Sequence, residues 1–256
     1  MYEALERSKA VLFDLDGTLI RGEQAIPGAV HFVVQLAKMG KRIIYLTNNA
    51  TRTNHAVAEL LNRLGFPAQP EMVLTSSIAA VSLLLRKIGF GKKVYAIGEE
   101  GLISPLLAAG FELVNGEVPA DAVVVGLDRK ATYADFEMAM KHIHRGAFFL
   151  ATNRDRIIPV ENGFAPGAGS LVALIEYATG LEPTIAGKPS AVFVKEALTQ
   201  AEVHCQEAVL IGDNLETDIL AAKNAGVHSV LVESGVPSEG NIFPDIKVNH
   251  LTELLH

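Results

Sequence analysis

The sequence predicts an α/β fold, a doubly wound parallel sheet with a second α/β domain inserted into it. Short apolar runs alternate with amphipathic stretches almost from end to end. Strands that alternate with crossover helices make parallel sheets covered on both faces. Residues able to do chemistry follow apolar runs in the first and last thirds of the chain. The ligand crevice of such a sheet lies there, at the carboxyl ends of its strands. The middle third has strands and helices of its own but none of those residues. We therefore expect a core of residues 1–78 and 184–256 and an inserted domain of residues 79–183.

Lys9–Phe13 is a strand leading into a carboxylate cluster. Pro27 opens a helix in which Val30, Val33, Val34 and Ala37 recur at helical spacing, and Gly40 ends it. Arg42–Leu46 is the next strand. Thr53 or Asn54 caps a helix with Val57, Leu60, Leu61 and Leu64 on one face, and Gly65 supplies a left-handed stop. The rhythm continues with strand Met72–Leu74, helix Ser77–Ile88, strand Val94–Ile97, helix Gly101–Ala109 and strand Ala122–Val125. Tyr133–His144 reads as a helix, Ala147–Ala151 as a strand, Thr152–Gly169 as a long loop bearing Gly and Pro, and Ser170–Thr179 as a helix. The last third gives helix Ser190–Ala201, opened by Pro189, then strand Ala208–Ile211, helix Leu215–Ala225 and strand Ser229–Val232.

A chain of 256 residues can bury roughly 70–75% of its unfolded surface and needs no disulfide or metal to fold. With 49% hydrophobic and 20% charged residues it is neither disordered nor collagenous. Twenty-two basic against 29 acidic residues give −7, which argues against a nucleic-acid partner. Cys205, the single cysteine, cannot form an internal disulfide and fits a reducing compartment. The first 13 residues carry charges where a signal peptide needs its apolar core, and no apolar run reaches 18 residues. We expect a cytoplasmic protein with no membrane partner.

Asp14-Leu15-Asp16-Gly17-Thr18 stands at the end of the first strand. Alternation places the Asp14 and Asp16 side chains on one side and Leu15 on the other. Two carboxylates so close repel each other unless a cation joins them or one keeps its proton. Either suits a nucleophile beside a general acid, although an acidic Asp-Gly turn is also a common plain connection. The second strand ends in Thr47-Asn48-Asn49, a hydroxyl and backbone amides suited to phosphate oxygens. Lys188, in Gly187-Lys188-Pro189, can neutralise a phosphate across the crevice; a lone lysine is more often just solvated. Gly212-Asp213-Asn214-Leu215-Glu216-Thr217-Asp218 follows the Ala208–Ile211 strand. Asp213 at the tip is a hard oxygen ligand that favours Mg²⁺, while Glu216 and Asp218 could simply stabilise a helix N-terminus.

In combination, an aspartate pair, a threonine, a lysine and a second acidic pair make one coherent phosphoryl-transfer site. DLDGT at 14–18, LTNN at 46–49, GKP at 187–189 and GDNLETD at 212–218 resemble the four signature motifs of the haloacid dehalogenase superfamily. The large insertion between the second and third resembles the class IIA, NagD-like or p-nitrophenyl phosphatase type. The resemblance implies a Rossmann-like core with an α/β cap, and a Mg²⁺-dependent phosphatase of a small phosphorylated metabolite. By the same resemblance, Asp14 would take the phosphoryl group, and Asp16 would protonate the leaving alcohol and then deprotonate water. Thr47, Asn48 and Lys188 would hold the phosphate. Asp14, the Asp16 carbonyl and Asp213 would ligate Mg²⁺, with Thr18, Asn214 and Asp218 positioning these groups. Asn153, Arg154 and Asp155 would belong to the cap loop that meets substrate, and the cap would make homodimer contacts.

His142 and His144, two apart on a helix, cannot face one metal and read as surface residues. The helix start at Gly167-Ala168-Gly169 could bind an anion. Phe149–Asn153 loosely echoes Tyr45–Asn48, which chance explains. A phosphotransferase would use the same groups with an alcohol in place of water. A receiver-type phospho-acceptor would lack an acid/base two residues after the acceptor, and a silent metabolite sensor would have no reason to keep all four motifs.

Overall fold

A computed structural model describes residues 2–160, 163–233 and 241–255. The chain divides into two compact units, one of Met1–Thr47, Asn54–Leu74 and Lys188–His256, the other of Asn48–Thr53 and Thr75–Gly187. The divisions fall at 74/75 and 187/188 rather than at the expected 78/79 and 183/184, and the second unit also takes six residues from the loop after the second strand.

The first unit holds a six-stranded sheet in the order Ile246–Val248, His228–Val232, Ala208–Gly212, Ala10–Asp14, Arg42–Thr47 and Val73–Thr75. Its pairings from Ile246–Val248 through Arg42–Thr47 are parallel. Ala10–Asp14 lies second from neither edge, and all five of its residues are buried, which is why it reads as an unbroken apolar run. Leu12 pairs with both Leu210 and Ile44, and Asp14 with Leu46. This register puts Asp14 next to the residue before Thr47, and Phe13 next to Ile211, with Gly212 and Asp213 following. Among the five residues of this central strand only Asp14, at its tip, is polar.

Helix Ala29–Lys38 starts after Gly28, whose φ of 82° is left-handed, so Pro27 stands outside it. Phe32 of this helix meets Phe13 of the central strand edge-on, with centroids 6.0 Å apart at 88°. Both rings are fully buried. Asn54–Arg63 is the next helix. Ala191–Gln200 is capped by Ser190, whose hydroxyl accepts the Val192 amide, so Pro189 precedes the cap instead of opening the helix. The expected single helix Leu215–Ala225 is a π-helical turn, Leu215–Ile219, followed by an α-helix, Leu220–Ala225.

The second unit has its own five-stranded sheet, ordered Thr184–Ile185, Phe148–Ala151, Ala122–Val125, Lys93–Ile97 and Glu112–Leu113, with every pair parallel. Its helices are Ser76–Ile88, Glu100–Ala108, Tyr133–His144 and Ala168–Thr179. Part of the expected 152–169 loop is an antiparallel hairpin of Ile157–Val160 with Gly163–Pro166; residues 161 and 162 lie outside the described residues. Prolines argue against a central strand, but a two-stranded ribbon has a free edge on each strand and tolerates them. His142 is buried, not a surface residue: its Nε2 lies 3.0 Å from the Gly116 carbonyl and its ring packs against Tyr95. The helix turns Phe136, Ala139 and Ile143 into the core, and His142 lies beside Ile143 on that face. His144 is exposed, as expected. Among the described residues no helix is long and apolar enough to cross a membrane.

Phe32→Ala should destabilise the first unit by about 3–5 kcal/mol, because it opens a cavity beside Phe13, whereas Phe32→Leu should cost clearly less. Denaturant titration of the two variants measures both. Equal losses would mean that ring packing is not what the site requires.

Candidate active site

Two neighbouring strand tips, with the turn that follows one of them, bring three carboxylates together, and one loop brings a lysine. Asp14, the last residue of its strand, is 7% exposed and accepts the Thr18 hydroxyl on Oδ2 at 3.0 Å. Lys188, 2% exposed, places Nζ 2.5 Å from Asp14 Oδ1 and 2.6 Å from Asp218 Oδ1. Asp218 Oδ2 accepts the Asn214 backbone amide at 3.1 Å. Carboxylate oxygens of Asp14, Asp213 and Asp218 all lie within 4.8 Å of one another.

Two glycines make this approach possible. Gly17 has a left-handed φ of 96°, and a Cβ there would collide with the Asp213 carboxylate. At Gly212 a Cβ would collide with the Asp218 carboxylate. The DG and GD of the motifs are therefore spatial requirements as well as turn residues.

Burial pushes the Asp14 carboxyl well above the usual aspartate range; the Lys188 ammonium opposes this, and the Asp218 and Asp213 charges add to it. Burial alone would lower the Lys188 ammonium, but Asp14 and Asp218 together hold it above its ordinary value. Lysine 188 is thus a fixed cation. With three carboxylates and one ammonium the cluster carries an excess of negative charge when fully ionised, which favours a bound cation or a retained proton. Both oxygens of Asp14 are engaged, by Lys188 and the Thr18 hydroxyl, and both of Asp218, by Lys188 and the Asn214 amide.

The strand ends at Asp14, so simple alternation does not reach Asp16. Leu15 is buried, Asp16 is exposed and bridges to Ile20, and the Gly17 amide donates to the Ile20 carbonyl at 2.8 Å. Thr47, at the next strand tip, is 2% exposed.

Asn48 groups with the second unit. Its carbonyl accepts the Ser76 hydroxyl at 2.7 Å and the Asn153 side-chain amide at 2.8 Å. Its own side-chain amide donates to Asp155 Oδ1 at 3.2 Å, and the Asp155 backbone amide donates to Asn153 Oδ1 at 3.0 Å. The structure thus joins Asn48, Asn153 and Asp155. Arg154 is outside this network: it forms a two-pronged pair with Glu176, at 2.9 and 3.0 Å. Sequence reasoning missed Ser76, which it left outside the expected helix, and the signal available was two hydroxyl residues directly after a strand. Gly187, named there only as part of GKP, has a spatial reason as well: a Cβ would crowd Asn48 Oδ1, the Thr152 carbonyl and Ser76. The expected anion site at the start of helix Ala168–Thr179 does not form, because the Gly167 and Gly169 amides donate to the Arg156 and Asp155 carbonyls at 2.8 and 2.9 Å.

Comparison with known proteins agrees with this geometry. A family profile described as haloacid dehalogenase-like hydrolase matches residues 11–112, and a related HAD-hydrolase-like profile matches residues 185–254. The 5'-nucleotidase YutF of Bacillus subtilis is 37% identical over 253 residues, 96% of each chain. The structure of glycerol phosphate phosphatase Rv1692 from Mycobacterium tuberculosis in complex with magnesium has a TM-score of 0.91 at 36% identity, covering 99% of this chain and 78% of that one. NagD from E. coli K-12 has a TM-score of 0.88 at 35% identity, covering 96% and 98%. With its strand-tip carboxylates, its buried lysine and these relatives across nearly its whole length, the chain belongs to the haloacid dehalogenase-like hydrolases, among the phosphatases of the NagD type.

Proposed function

We propose that the chain is a Mg²⁺-dependent phosphatase that hydrolyses a small phosphomonoester through a phosphorylated Asp14. The observation that carries this reading is the buried Lys188 ammonium fixed on an Asp14 oxygen. A carboxylate so placed can attack phosphorus while the cation offsets the charge of the transferring group. Asp14 forms the new O–P bond as the bond to the leaving alcohol breaks, and exposed Asp16 gives that oxygen its proton. Asp16, now ionised, takes a proton from water as the water oxygen attacks phosphorus. Inorganic phosphate leaves and Asp14 is restored. Splitting hydrolysis into two displacements is the gain from the covalent step. Thr47 and Lys188 hold the phosphate oxygens, and Thr18 and Asp218 orient Asp14 and Lys188.

The donor set fits a hard divalent cation: Asp14, Asp213 and the Asp16 carbonyl would hold Mg²⁺. When bound, the ion supplies charge neutralisation at the phosphoryl oxygens.

Substrate choice belongs to the second unit in this proposal. Its Asn48–Asn153–Asp155 network presents amides and a carboxylate that can pair with hydroxyls of a sugar phosphate, a nucleotide or a similar metabolite. The Arg154–Glu176 pair makes Arg154 a support for that loop. A homodimer through the second unit is part of the same reading, supported by exposed Phe164, Leu174 and Tyr177. The acidic composition and single cysteine support a cytoplasmic setting without nucleic-acid or membrane partners.

Asp14→Asn should abolish phosphate release from an aryl phosphate, because the amide keeps the shape and loses the nucleophile. Wild-type turnover in this variant would sink the covalent mechanism.

Chelation should stop turnover and added Mg²⁺ restore it, with Asp213→Ala needing at least about tenfold more metal. Full activity in chelated enzyme would refute the metal requirement.

Asn153→Ala and Asp155→Ala should raise KM for the physiological metabolite about tenfold, while changing KM for a small aryl phosphate less than about twofold. Steady-state kinetics on a panel of phosphorylated metabolites and on the aryl ester decide it. Equal losses on both would make the loop a support for folding.

A further inference from the structure

The turn after the last catalytic strand is wound in an unusual way, and one residue does most of the winding. Asn214 caps the π turn Leu215–Ile219: its side-chain Oδ1 accepts the amides of Glu216 at 2.8 Å and Thr217 at 3.1 Å. Its carbonyl accepts the amides of Asp218 at 3.0 Å and Ile219 at 3.2 Å. Its own amide donates to Asp218 Oδ2 at 3.1 Å. Three of its polar groups are thus spent on the turn.

This is a capping box lengthened by one residue. In the ordinary box, the side chain that reaches back to the cap amide belongs to the third residue after the cap. Here the third residue is Thr217, and the wider π turn brings the fourth, Asp218, into that place. Asp218 Oδ2 is thereby tied to the Asn214 amide, and Oδ1 is left for Lys188 at 2.6 Å. Gly212 gives the carboxylate room, since a Cβ there would collide with it. Lys188 Nζ in turn lies 2.5 Å from Asp14 Oδ1. Single π turns inside helices often mark functional sites, and here the reason is visible: the extra residue sets which carboxylate faces the lysine.

We propose that Asn214 is a positioning residue for Lys188, acting through the π turn and Asp218. Its effect on turnover rests on the phosphatase reading above; its effect on Lys188 does not. Losing the side-chain acceptor frees the Glu216 and Thr217 amides, lets the turn rewind with α spacing, and releases Asp218 from the lysine.

The test reads both consequences. In protein labelled with ¹⁵N-lysine, wild type should show a slowly exchanging buried ammonium signal that disappears in Lys188→Met. Asn214→Ala should shift or broaden that signal and lower kcat on an aryl phosphate about tenfold, the usual scale of a lost cap. Asn214→Ser, which restores an acceptor, should return the signal and bring kcat to within about twofold of wild type. Thr132→Ala, which removes the cap of helix Tyr133–His144, should lose comparable stability and leave both readings unchanged. If Asn214→Ala does not fold, Asn214→Gly takes its place, since glycine also lacks the acceptor but is tolerated at a cap. The proposal is overturned by an unaltered Lys188 signal in the variant without an acceptor, by failure of Asn214→Ser to restore it, or by a wild type with no such signal. If wild type releases no phosphate, the phosphatase reading fails, and the ammonium signal still decides the role of Asn214.

Discussion

An ammonium group sealed from water between two carboxylates is the interaction on which the first unit is organised. Burying a charge is tolerable only with partners in place, and removing one partner of such a pair typically costs about 3–5 kcal/mol. Lys188 meets this demand with Asp14 and Asp218, and each carboxylate is in turn held by a neighbour, Thr18 or the Asn214 amide. The arrangement fixes a cation on Asp14; in the proposed phosphoryl transfer little reorganisation would then be left for the moment of reaction.

The sheet makes that arrangement affordable to build. Parallel strands covered on both faces favour apolar side chains in their middles, and Asp14, Thr47 and Asp213 stand at adjacent tips. Register then aligns them, with Asp14 beside Leu46 and Phe13 beside Ile211. Close approach of the carboxylates requires missing side chains as well as present ones. Gly17 and Gly212 are bare because the Asp213 and Asp218 carboxylates occupy the space a Cβ would need.

The second unit uses a related construction for a different end. Its sheet is also parallel, and Thr152-Asn153 follows the Phe148–Ala151 strand as Asn48 follows Arg42–Thr47. Loop 48–53 is anchored within this unit: the Gly101 amide donates to the Thr51 carbonyl at 3.1 Å, and Gly101 lacks the Cβ that would strike the backbone of Ala50 and Arg52. The echo between Leu46-Thr47-Asn48 and Ala151-Thr152-Asn153 is therefore a likeness of position at strand ends. Asn48 and Asn153 are directly hydrogen-bonded.

By itself the sequence determined the alternation of strands and helices, the parallel sheets and the polar residues at strand ends, because apolar periodicity and the residues that follow it are local properties. Ala122–Val125 and Tyr133–His144 have the bounds that their residues imply. What depended on distant partners was decided only by the tertiary structure. His142 looks solvent-facing until Tyr95 and Gly116 surround it. The hairpin Ile157–Val160 with Gly163–Pro166 is concealed by its prolines. Asn48 follows Thr47 directly in the chain, yet its carbonyl and side-chain amide bond to Ser76, Asn153 and Asp155, up to 107 residues away. The meeting of Asp218 with Lys188 is hidden for the same physical reason: Asn214 caps the Leu215–Ile219 turn locally, but Lys188 comes from a loop distant in the chain.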